Sequence, residues 1–486
     1  MSDTDFTARL ETFLARALPG FAALTACRRL SGGASQETYR LDLRTTTGPR
    51  TCALRRTAEG QPVVRTSGQS GLRNEARLLQ MAQAGNVPVP PVLAVLAAGD
   101  GLGDGFLMPW LDGETLGHRI VRDPVIAALA PSLAWRCGQV LARIHALDVP
   151  PARLDEPLAD TPPAALVEQT WARYRALGTP QPMIDYTARW LLANLPPSPR
   201  HTLVHGDFRN GNLMVGEQGI VAVLDWELAH FGDPLRDLGW LCTPSWRFGR
   251  ADLPVGGFGT HAELFAGYTA ESGFAVDPAA VRFWEIFGAF WWAVGCLQMA
   301  DQYRHGPDRT VERPAIGRRS SECQVDCVNY LIPGPVHAVP AHAAEDTALP
   351  GIDELLVSVQ DFLRREVVAS QDARVQYLAR VAANSLEIVR RDRALGDAAR
   401  AAEEVRLRAL LTSAPGSSLA ELRRGLCTAL RAGAFALDDP MLTGHLRATV
   451  ANEVLIDQPR YPGADLACRD TNGRSAPAPR NDAGSA

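Results

Sequence analysis

The segments HGDFRNGN, residues 205–212, and VLDWE, residues 223–227, decide the fold. Two apolar runs lie between them, joined by a turn that glycines bound, and this pattern predicts a short β-hairpin. Asp207 and Asn212 stand five residues apart before the hairpin, and Asp225 stands directly after it. Because a hairpin returns the chain to its starting point, we expect these three polar side chains to meet at one place.

The three side chains have the chemistry that phosphoryl transfer from ATP requires. This reaction needs a carboxylate near the attacking hydroxyl and oxygen ligands that hold Mg²⁺ near the β- and γ-phosphates. We predict that Asp207 is the catalytic carboxylate and that Asn212 and Asp225 bind the metal. Arg209, two residues after Asp207, is predicted to neutralise the transferred phosphoryl group with its guanidinium.

The same residues carry a resemblance to a known family. HGDFRNGN followed by LDW resembles the aminoglycoside phosphotransferase and choline kinase-like family, relatives of the protein kinases. The wording VAVLDWELAHFGDPLRDLGWLC, and IGRRSSECQVD at 316–326, resembles the branch that forms the N-terminal phosphotransferase domain of kinase-fused acyl-CoA dehydrogenases. The resemblance implies an α+β, bilobal protein kinase-like fold with a β-rich N-lobe and a helical C-lobe. It also implies ATP and Mg²⁺ as cofactors.

Upstream, the segment SGGASQETY at 31–39 lies between two predicted strands. It resembles the loop with which this family covers the nucleotide. Gly32 and Gly33 permit a close approach of the backbone to phosphate, and Ser35 offers a hydroxyl. These three are therefore predicted nucleotide-binding residues.

Five further residues are predicted to bind the nucleotide. Ala53 and Arg55 lie in CALR, which resembles the strand that carries the ATP-site lysine of the family, and strand alternation turns Ala53 toward the adenine. Arg55 stands in the place of that lysine. Glu75, in a predicted helix, is the expected carboxylate partner of Arg55. Met108 and Trp110 lie in MPWL, which resembles the hinge whose backbone meets adenine.

Three other polar residues are assigned to structure rather than to chemistry. Asp237 follows the predicted metal ligand at the family's distance, and we expect it to brace the catalytic loop through backbone hydrogen bonds. His145 and His205 are predicted to be structural histidines. The sequence therefore gives no reason to expect a histidine base.

The charge balance limits the partners that the chain can have. Its 486 residues include 49 basic and 54 acidic ones, which gives a formal charge of −5. No lysine occurs, so any phosphate site must use arginine. Without a basic excess, we expect no nucleic-acid partner. The most apolar stretch, 286–300, is shorter than the roughly 20 residues of a membrane span, so we predict a buried helix and no membrane association.

The cysteines and the N-terminal residues indicate the cellular compartment in which we expect the protein. Nine cysteines occur without any CxxC spacing, which favours reduced thiols. The opening MSDTDFTARL has neither a basic start nor an apolar run, so no secretory signal is expected. Together these features predict a cytoplasmic protein.

The chain divides into five predicted parts. Composition and periodicity change near residue 110, in the proline-rich segment before residue 351, and again near the C-terminus. The parts are an N-lobe at 1–110, a C-lobe with catalytic loop and acceptor site at 111–332, a linker at 333–350, a helical domain at 351–465 and a disordered tail at 466–486. The helical domain resembles a domain of unknown function that often accompanies such phosphotransferases, and its helices are predicted at 352–369, 374–395, 396–412 and 417–434.

These observations lead to a functional hypothesis with alternatives. The leading hypothesis is an ATP- and Mg²⁺-dependent kinase for the hydroxyl of a small molecule, with a hydroxyacyl-CoA as one acceptor that the resemblance suggests. The alternatives are an aminoglycoside kinase, another small-molecule kinase, or a nucleotide-binding regulatory module without turnover. The C-terminal helical domain is a candidate surface for a homodimer or a protein partner.

Overall fold

The structure is a computed structural model that describes residues 3–30, 36–57, 70–197, 200–341, 350–370, 372–412 and 416–468. The predicted nucleotide-binding residues Gly32, Gly33 and Ser35 lie outside the described residues, as do 342–349 of the predicted linker and 469–486 of the predicted tail. The chain forms two compact units. The first contains Met1–Pro163 and Pro196–Glu285, and the second contains Ala164–Leu195 and Ile286–Ala486.

The first unit begins with an antiparallel five-stranded sheet in the order β1-β2-β3-β5-β4. Two helices precede or interrupt it in the sequence. The elements are α1 (Asp3–Ala17), β1 (Phe21–Arg29), β2 (Glu37–Thr45), β3 (Gly48–Thr57), α2 (Leu72–Ala84), β4 (Ala94–Val95) and β5 (Asp104–Pro109).

Side-chain alternation along the strands separates two apolar clusters. Leu54 of β3 and Leu107 of β5 pack in one cluster with the apolar side of α1, including Phe13. Phe106 and Met108 of β5 belong to the other cluster, which contains the buried residues of α2. Because neighbouring strand residues point to opposite faces, Ala53 and Arg55 share the α2 side of the sheet.

The remainder of the first unit is mostly helical. After the sheet come α3 (Gly117–Arg122), α4 (Pro124–Ala127) and α5 (Ala130–His145). A later segment adds β6 (Thr202–Val204), β7 (Leu213–Gly216), β8 (Gly219–Val223), β9 (His230–Gly232), α8 (Leu235–Cys242) and α9 (His261–Ser272). Strands β7 and β8 pair antiparallel, so the predicted hairpin between the two motif segments is confirmed.

The second unit consists of helices. It contains α6 (Pro163–Ala176), α7 (Pro182–Ala193), most of α10 (Pro278–His305), α11 (Glu312–Arg318), α12 (Ser320–Leu331), α13 (Ile352–Phe362), α14 (Ala373–Arg391), α15 (Asp397–Leu410), α16 (Leu419–Arg431), α17 (Pro440–Asp457) and α18 (Pro462–Cys468). Arg431 of α16 donates to both carboxylate oxygens of the buried Asp185 in α7, at 2.8 and 3.0 Å. No helix of the described residues has both the length and the hydropathy that a bilayer crossing needs.

Helix α8 contacts the first turns of α10 closely enough to require a glycine. A Cβ on Gly239 would lie 2.8 Å from the carbonyl carbon of Trp284 and 2.9 Å from the backbone nitrogen of Glu285. We therefore expect Gly239→Ala to lower the free energy of unfolding by about 1–3 kcal/mol, because backbone atoms cannot move aside cheaply. Chemical denaturation checks this. Gly99→Ala, where a Cβ meets nothing within 4 Å, is the control, and equal stability of the two variants would contradict the packing.

Candidate active site

The loop between β6 and β7 holds Asp207 at the centre of a set of hydrogen bonds. Its Oδ1 accepts from Arg209 Nε at 2.9 Å and from Trp240 Nε1 at 2.8 Å. Its Oδ2 accepts from Asn212 Nδ2 at 2.6 Å. Gly206 precedes it with φ of 84°, where a side chain would meet the backbone of Leu228. The loop geometry thus depends on glycine and fixes the direction of the carboxylate.

The hairpin brings Asn212 and Asp225 to the same place. Leu224 N–H donates to the backbone oxygen of Asn212 at 2.8 Å, so the residue before Asp225 is joined directly to Asn212. Asp225 itself adopts a left-handed backbone conformation, with φ of 65° and ψ of 68°. Such a conformation is rare for a residue with a side chain and occurs often at functional sites. Asp225 is thus joined through Leu224 to Asn212, and Asn212 is joined to Asp207.

Asp225 is paired with Arg55 of β3. Arg55 Nη2 lies 2.6 Å from Asp225 Oδ1, and Arg55 Nη1 lies 3.4 Å from Glu75 Oε1 in α2. Arg55 Nε donates to Gln36 Oε1 at 2.6 Å, and Gln36 Nε2 in turn donates to Glu227 Oε2 at 3.1 Å. One guanidinium therefore joins the sheet, α2 and the segment after the hairpin.

Burial and an excess of carboxylates over cations determine the pKa values in this group of side chains. Burial alone would lower the pKa of Arg55, but Glu75 and Asp225 outweigh it and raise the pKa above its usual range. Burial raises the pKa of Glu75 to about 7, and Asp225 and Glu227 add to this against the opposing effect of Arg55. The buried carboxyl of Glu75 therefore depends on the nearby charge of Arg55 to favour its ionised form.

The register of β3 and β5 determines which backbone groups of the predicted hinge form hydrogen bonds within the sheet. Met108 pairs with Ala53, and Trp110 N–H donates to Thr51 O at 3.1 Å. Because hydrogen-bonding direction alternates along a strand, the carbonyl of Pro109 and the N–H of Leu111 point away from β3. The ring of Trp110 lies 4.9 Å from the Arg40 guanidinium carbon. Of the predicted hinge, the amide of Trp110 is thus already used within the sheet.

Asp237 of α8 accepts backbone hydrogen bonds from the loop that bears Asp207, as predicted. Its Oδ2 accepts from His205 N–H at 2.8 Å, and its Oδ1 accepts from Gly206 N–H at 2.9 Å. His145 Nε2 lies 3.1 Å from Oδ2, and both side chains are buried. Burial lowers the pKa of His205, which packs 4.8 Å from the Trp226 ring. His145 and His205 thus both make contacts that support the loop bearing Asp207.

The bracing role makes stability depend on acid pH. Burial alone would raise the pKa of Asp237, but hydrogen bonding and charge from His145 outweigh it and lower the pKa to about 2. A depressed carboxyl pKa stabilises the fold above its unfolded value of 3.8, and this stabilisation is lost as pH falls toward 2. We expect it to amount to about 2 kcal/mol.

Asp237→Asn therefore should remove about 2–4 kcal/mol of stability at pH 7, because one amide cannot accept both loop N–H groups. Its stability should also vary less between pH 4 and 2 than that of the wild type. Urea unfolding at several pH values measures both effects. Parallel pH profiles of the two proteins would contradict the assignment.

Arg209 is held in three ways. Besides the bond to Asp207, its Nη1 donates to Asn210 O at 2.9 Å, and its guanidinium carbon lies 4.4 Å from the centre of the Trp246 ring. Trp246 in turn meets Trp240 edge-on, with 5.1 Å between ring centres. The guanidinium is thus fixed beside the carboxylate before any substrate binds.

Four residues that contact this site were not predicted from the sequence. Gln36 and Glu227 lie inside the quoted segments SGGASQETY and VLDWE, and their polar side chains beside predicted site residues were a usable signal. Trp240 lies in the apolar stretch LGWLC and looks like an ordinary core residue, and nothing in the sequence around Trp246 indicates a role at the site. Only the folded chain reveals their contact with Asp207 and Arg209.

The comparison with family models decides the relationship. The model described as the phosphotransferase enzyme family matches residues 26–283, which is more than half of the chain. The chain belongs to the phosphotransferase enzyme family. This phosphotransferase also matches, at residues 369–461, a family described as a domain of unknown function (DUF6285). The resemblances inferred from the sequence for both parts are thereby confirmed.

Similar proteins support the same relationship. Acyl-CoA dehydrogenase family member 10 of Mus musculus is 36% identical over 182 residues, covering 35% of this chain and 16% of the relative. Acyl-CoA dehydrogenase family member 11 of Gallus gallus is 30% identical over 244 residues, covering 48% of this chain and 30% of the relative. The phosphotransferase thus matches less than a third of the length of either relative.

A solved structure supports the fold. A Ralstonia eutropha protein named as a candidate aminoglycoside phosphotransferase superposes with a TM-score of 0.52 and 22% identity, covering 65% of this chain and 95% of that one. At this identity the likeness concerns the fold alone. The predicted α+β kinase-like fold, with strands first and helices after, is confirmed.

Proposed function

We propose that this phosphotransferase transfers the γ-phosphoryl group of ATP to a hydroxyl of a small molecule. The observation that carries the proposal is the connected set of Asp207, Asn212 and Asp225, with Arg55 and Glu75 beside Asp225. A carboxylate, oxygen ligands for a cation and a fixed positive charge are the groups that phosphoryl transfer uses.

In this proposal Asp207 accepts the hydrogen of the acceptor hydroxyl. The hydroxyl oxygen forms a bond to the γ-phosphorus while the bond from that phosphorus to the bridging oxygen breaks, so that ADP leaves with the electron pair. The proton passes to the Asp207 carboxylate and then to water. Arg209 neutralises charge on the transferred group from its fixed position, and Arg55 holds the phosphates of the nucleotide.

The residues present fit a magnesium ion. Asn212 directs its amide nitrogen to Asp207 O and Oδ2, at 3.0 and 2.6 Å, which leaves its side-chain oxygen for a cation. Asp225 adds a carboxylate. Mg²⁺ prefers such oxygen ligands. When bound, the ion would neutralise charge on the β- and γ-phosphates.

The adenine is proposed to bind at the end of β5. The carbonyl of Pro109 and the N–H of Leu111 are the backbone groups that the strand register leaves for a base, with Ala53 and Met108 on the same side of the sheet. The glycine-rich segment with Gly32, Gly33 and Ser35 stays a prediction for the phosphates.

A hydroxyacyl-CoA is the acceptor we propose first. Two similar proteins are named as members of the acyl-CoA dehydrogenase family, which supports an acyl-CoA context for the matched segment. An aminoglycoside or another alcohol remains the alternative acceptor class. We also propose the predicted domain ranges, a cytoplasmic location, and a homodimer or protein partner that binds through the C-terminal helices.

Incubation with ATP, Mg²⁺ and a panel of alcohols tests the function. The panel contains hydroxyacyl-CoAs of several chain lengths, choline and an aminoglycoside, and mass spectrometry detects the gain of one phosphoryl group. We expect ATP-dependent gain on a hydroxyacyl-CoA and none on the matched acyl-CoA without the hydroxyl. Nucleotide binding without transfer to any alcohol would favour a regulatory module instead.

A further inference from the structure

The hydrogen bonds on Asp207 are unequally shared between its two oxygens. Oδ1 accepts from both Arg209 Nε and Trp240 Nε1, at 2.9 and 2.8 Å. Oδ2 accepts from Asn212 Nδ2 alone, at 2.6 Å, within the described residues. A carboxylate oxygen has two lone-pair sites. Oδ1 is therefore fully used, and Oδ2 keeps one site for a further donor.

We propose that Trp240 is a positioning residue that reserves Oδ1 and so assigns Oδ2 of Asp207 to receive the hydrogen of the acceptor hydroxyl. This inference rests on the proposed function. Without the indole N–H, Oδ1 would also have an open site, and the carboxylate could rotate about its Cβ–Cγ bond. The Asp207 carboxylate would then meet the acceptor hydroxyl in several orientations rather than one. Correct orientation of the reacting groups contributes strongly to the rate of such a proton transfer.

The surroundings of Trp240 hold its indole in place. The side chain is 3% exposed and lies on α8, next to Gly239, whose close approach to α10 fixes the helix. Its ring meets Trp246 edge-on, and Trp246 lies under the guanidinium of Arg209. The two donors to Oδ1 are therefore tied together through one aromatic contact. The same helix carries Asp237, which braces the loop that bears Asp207.

Trp240→Phe tests the inference, because it removes the N–H donor and keeps a six-membered aromatic ring at a position that is 3% exposed. The five-membered ring is lost with the donor, so the effect on packing has to be measured separately. We expect kcat to fall about 10- to 100-fold, the range that loss of one bond to a charged, oriented group gives. The KM values for ATP and acceptor should stay within about twofold. Trp135→Phe, at an exposed tryptophan of α5, is the matched control and should leave all three constants unchanged.

A role in packing alone gives a different result. It would lower the thermal midpoint or raise the KM values while kcat stays within twofold of the wild type, and that outcome overturns the proposal. The thermal midpoint and the ADP dissociation constant are therefore measured on every variant. A lower kcat with an unchanged thermal midpoint and an unchanged ADP dissociation constant supports the positioning role of Trp240.

A spectroscopic readout separates this inference from the proposed function. The indole ¹⁵N–¹H resonance of Trp240 is identified by its absence in Trp240→Phe, and its chemical shift reports the bond to the carboxylate. We expect it to move upfield in Asp207→Asn, with no comparable change in Asp252→Asn. If the wild type phosphorylates no alcohol, the proposed function fails even where this resonance shows the hydrogen bond from Trp240 to Asp207. If Asp207→Asn leaves this resonance unmoved, Trp240 does not donate to Asp207, and the positioning role is overturned.

Discussion

Replacing Asp207 with asparagine should lower kcat for phosphoryl transfer by about 10³- to 10⁴-fold, while ADP binds within about twofold of the wild type. The asparagine has no negative charge with which to take the hydrogen of the hydroxyl. Three donors, on Arg209, Trp240 and Asn212, point at the two oxygens of the native carboxylate. One end of an amide would present N–H groups to such donors, so the side chain would also lose its orientation.

A coupled assay of ADP release and isothermal titration with ADP measure the two effects. Asp252→Asn is the matched control, because Asp252 is an exposed carboxylate whose Oδ1 and Oδ2 contact Arg250 at the surface. It should change neither quantity. Transfer that continues in Asp207→Asn within tenfold of the wild-type rate would contradict the assignment of the base.

Removing the charge of Arg55 should affect both folding and catalysis. Arg55→Met leaves the buried Glu75, together with Asp225, without the cation that lies 3.4 and 2.6 Å from their oxygens. Loss of one partner of a buried ion pair costs about 3–5 kcal/mol, because the other charge stays desolvated. We also expect kcat/KM for ATP to fall about 10²- to 10³-fold, since one fixed donor to the phosphates is lost.

Two further substitutions serve as comparisons for Arg55→Met: one at an exposed arginine and one that keeps the positive charge. Arg44→Met removes an exposed arginine from β2 and should change stability by less than about 0.5 kcal/mol. Arg55→Lys keeps the charge, but a single ammonium cannot reach Gln36, Glu75 and Asp225 together as three guanidinium nitrogens do. We expect about a tenfold loss of kcat/KM for the lysine variant, roughly one lost hydrogen bond. Urea unfolding and ATP kinetics measure these effects, and a methionine variant as stable and active as Arg44→Met would contradict the role of Arg55.

Much of the site could be predicted because its signals are local. The spacing of Asp207, Asn212 and Asp225 around a glycine-bounded hairpin contains the information that brings them together, and the structure has that hairpin. Strand alternation likewise placed Ala53 and Arg55 on one face. The pairing of Arg55 with Glu75 was expected from residue types that complement each other, and the two lie 3.4 Å apart.

Other parts depend on geometry that no local pattern contains. Strand register decided that the Trp110 amide bonds to Thr51, and a sequence does not give register between β3 and β5. The bond from Trp240 to Asp207 joins residues 33 positions apart in the chain, and no local pattern predicts such a contact. Helix α17 was missed in the helical domain because it is buried on several sides and has a weak amphipathic period.

The proposed function requires Asp207, Asn212 and Asp225 to act on one triphosphate. A crystal structure with Mg²⁺ and a non-hydrolysable ATP analogue tests it most directly. We expect a cation bound by the side-chain oxygens of Asn212 and Asp225, with the γ-phosphate between that cation and Asp207. A nucleotide bound elsewhere, or a cation that contacts neither residue, would contradict it.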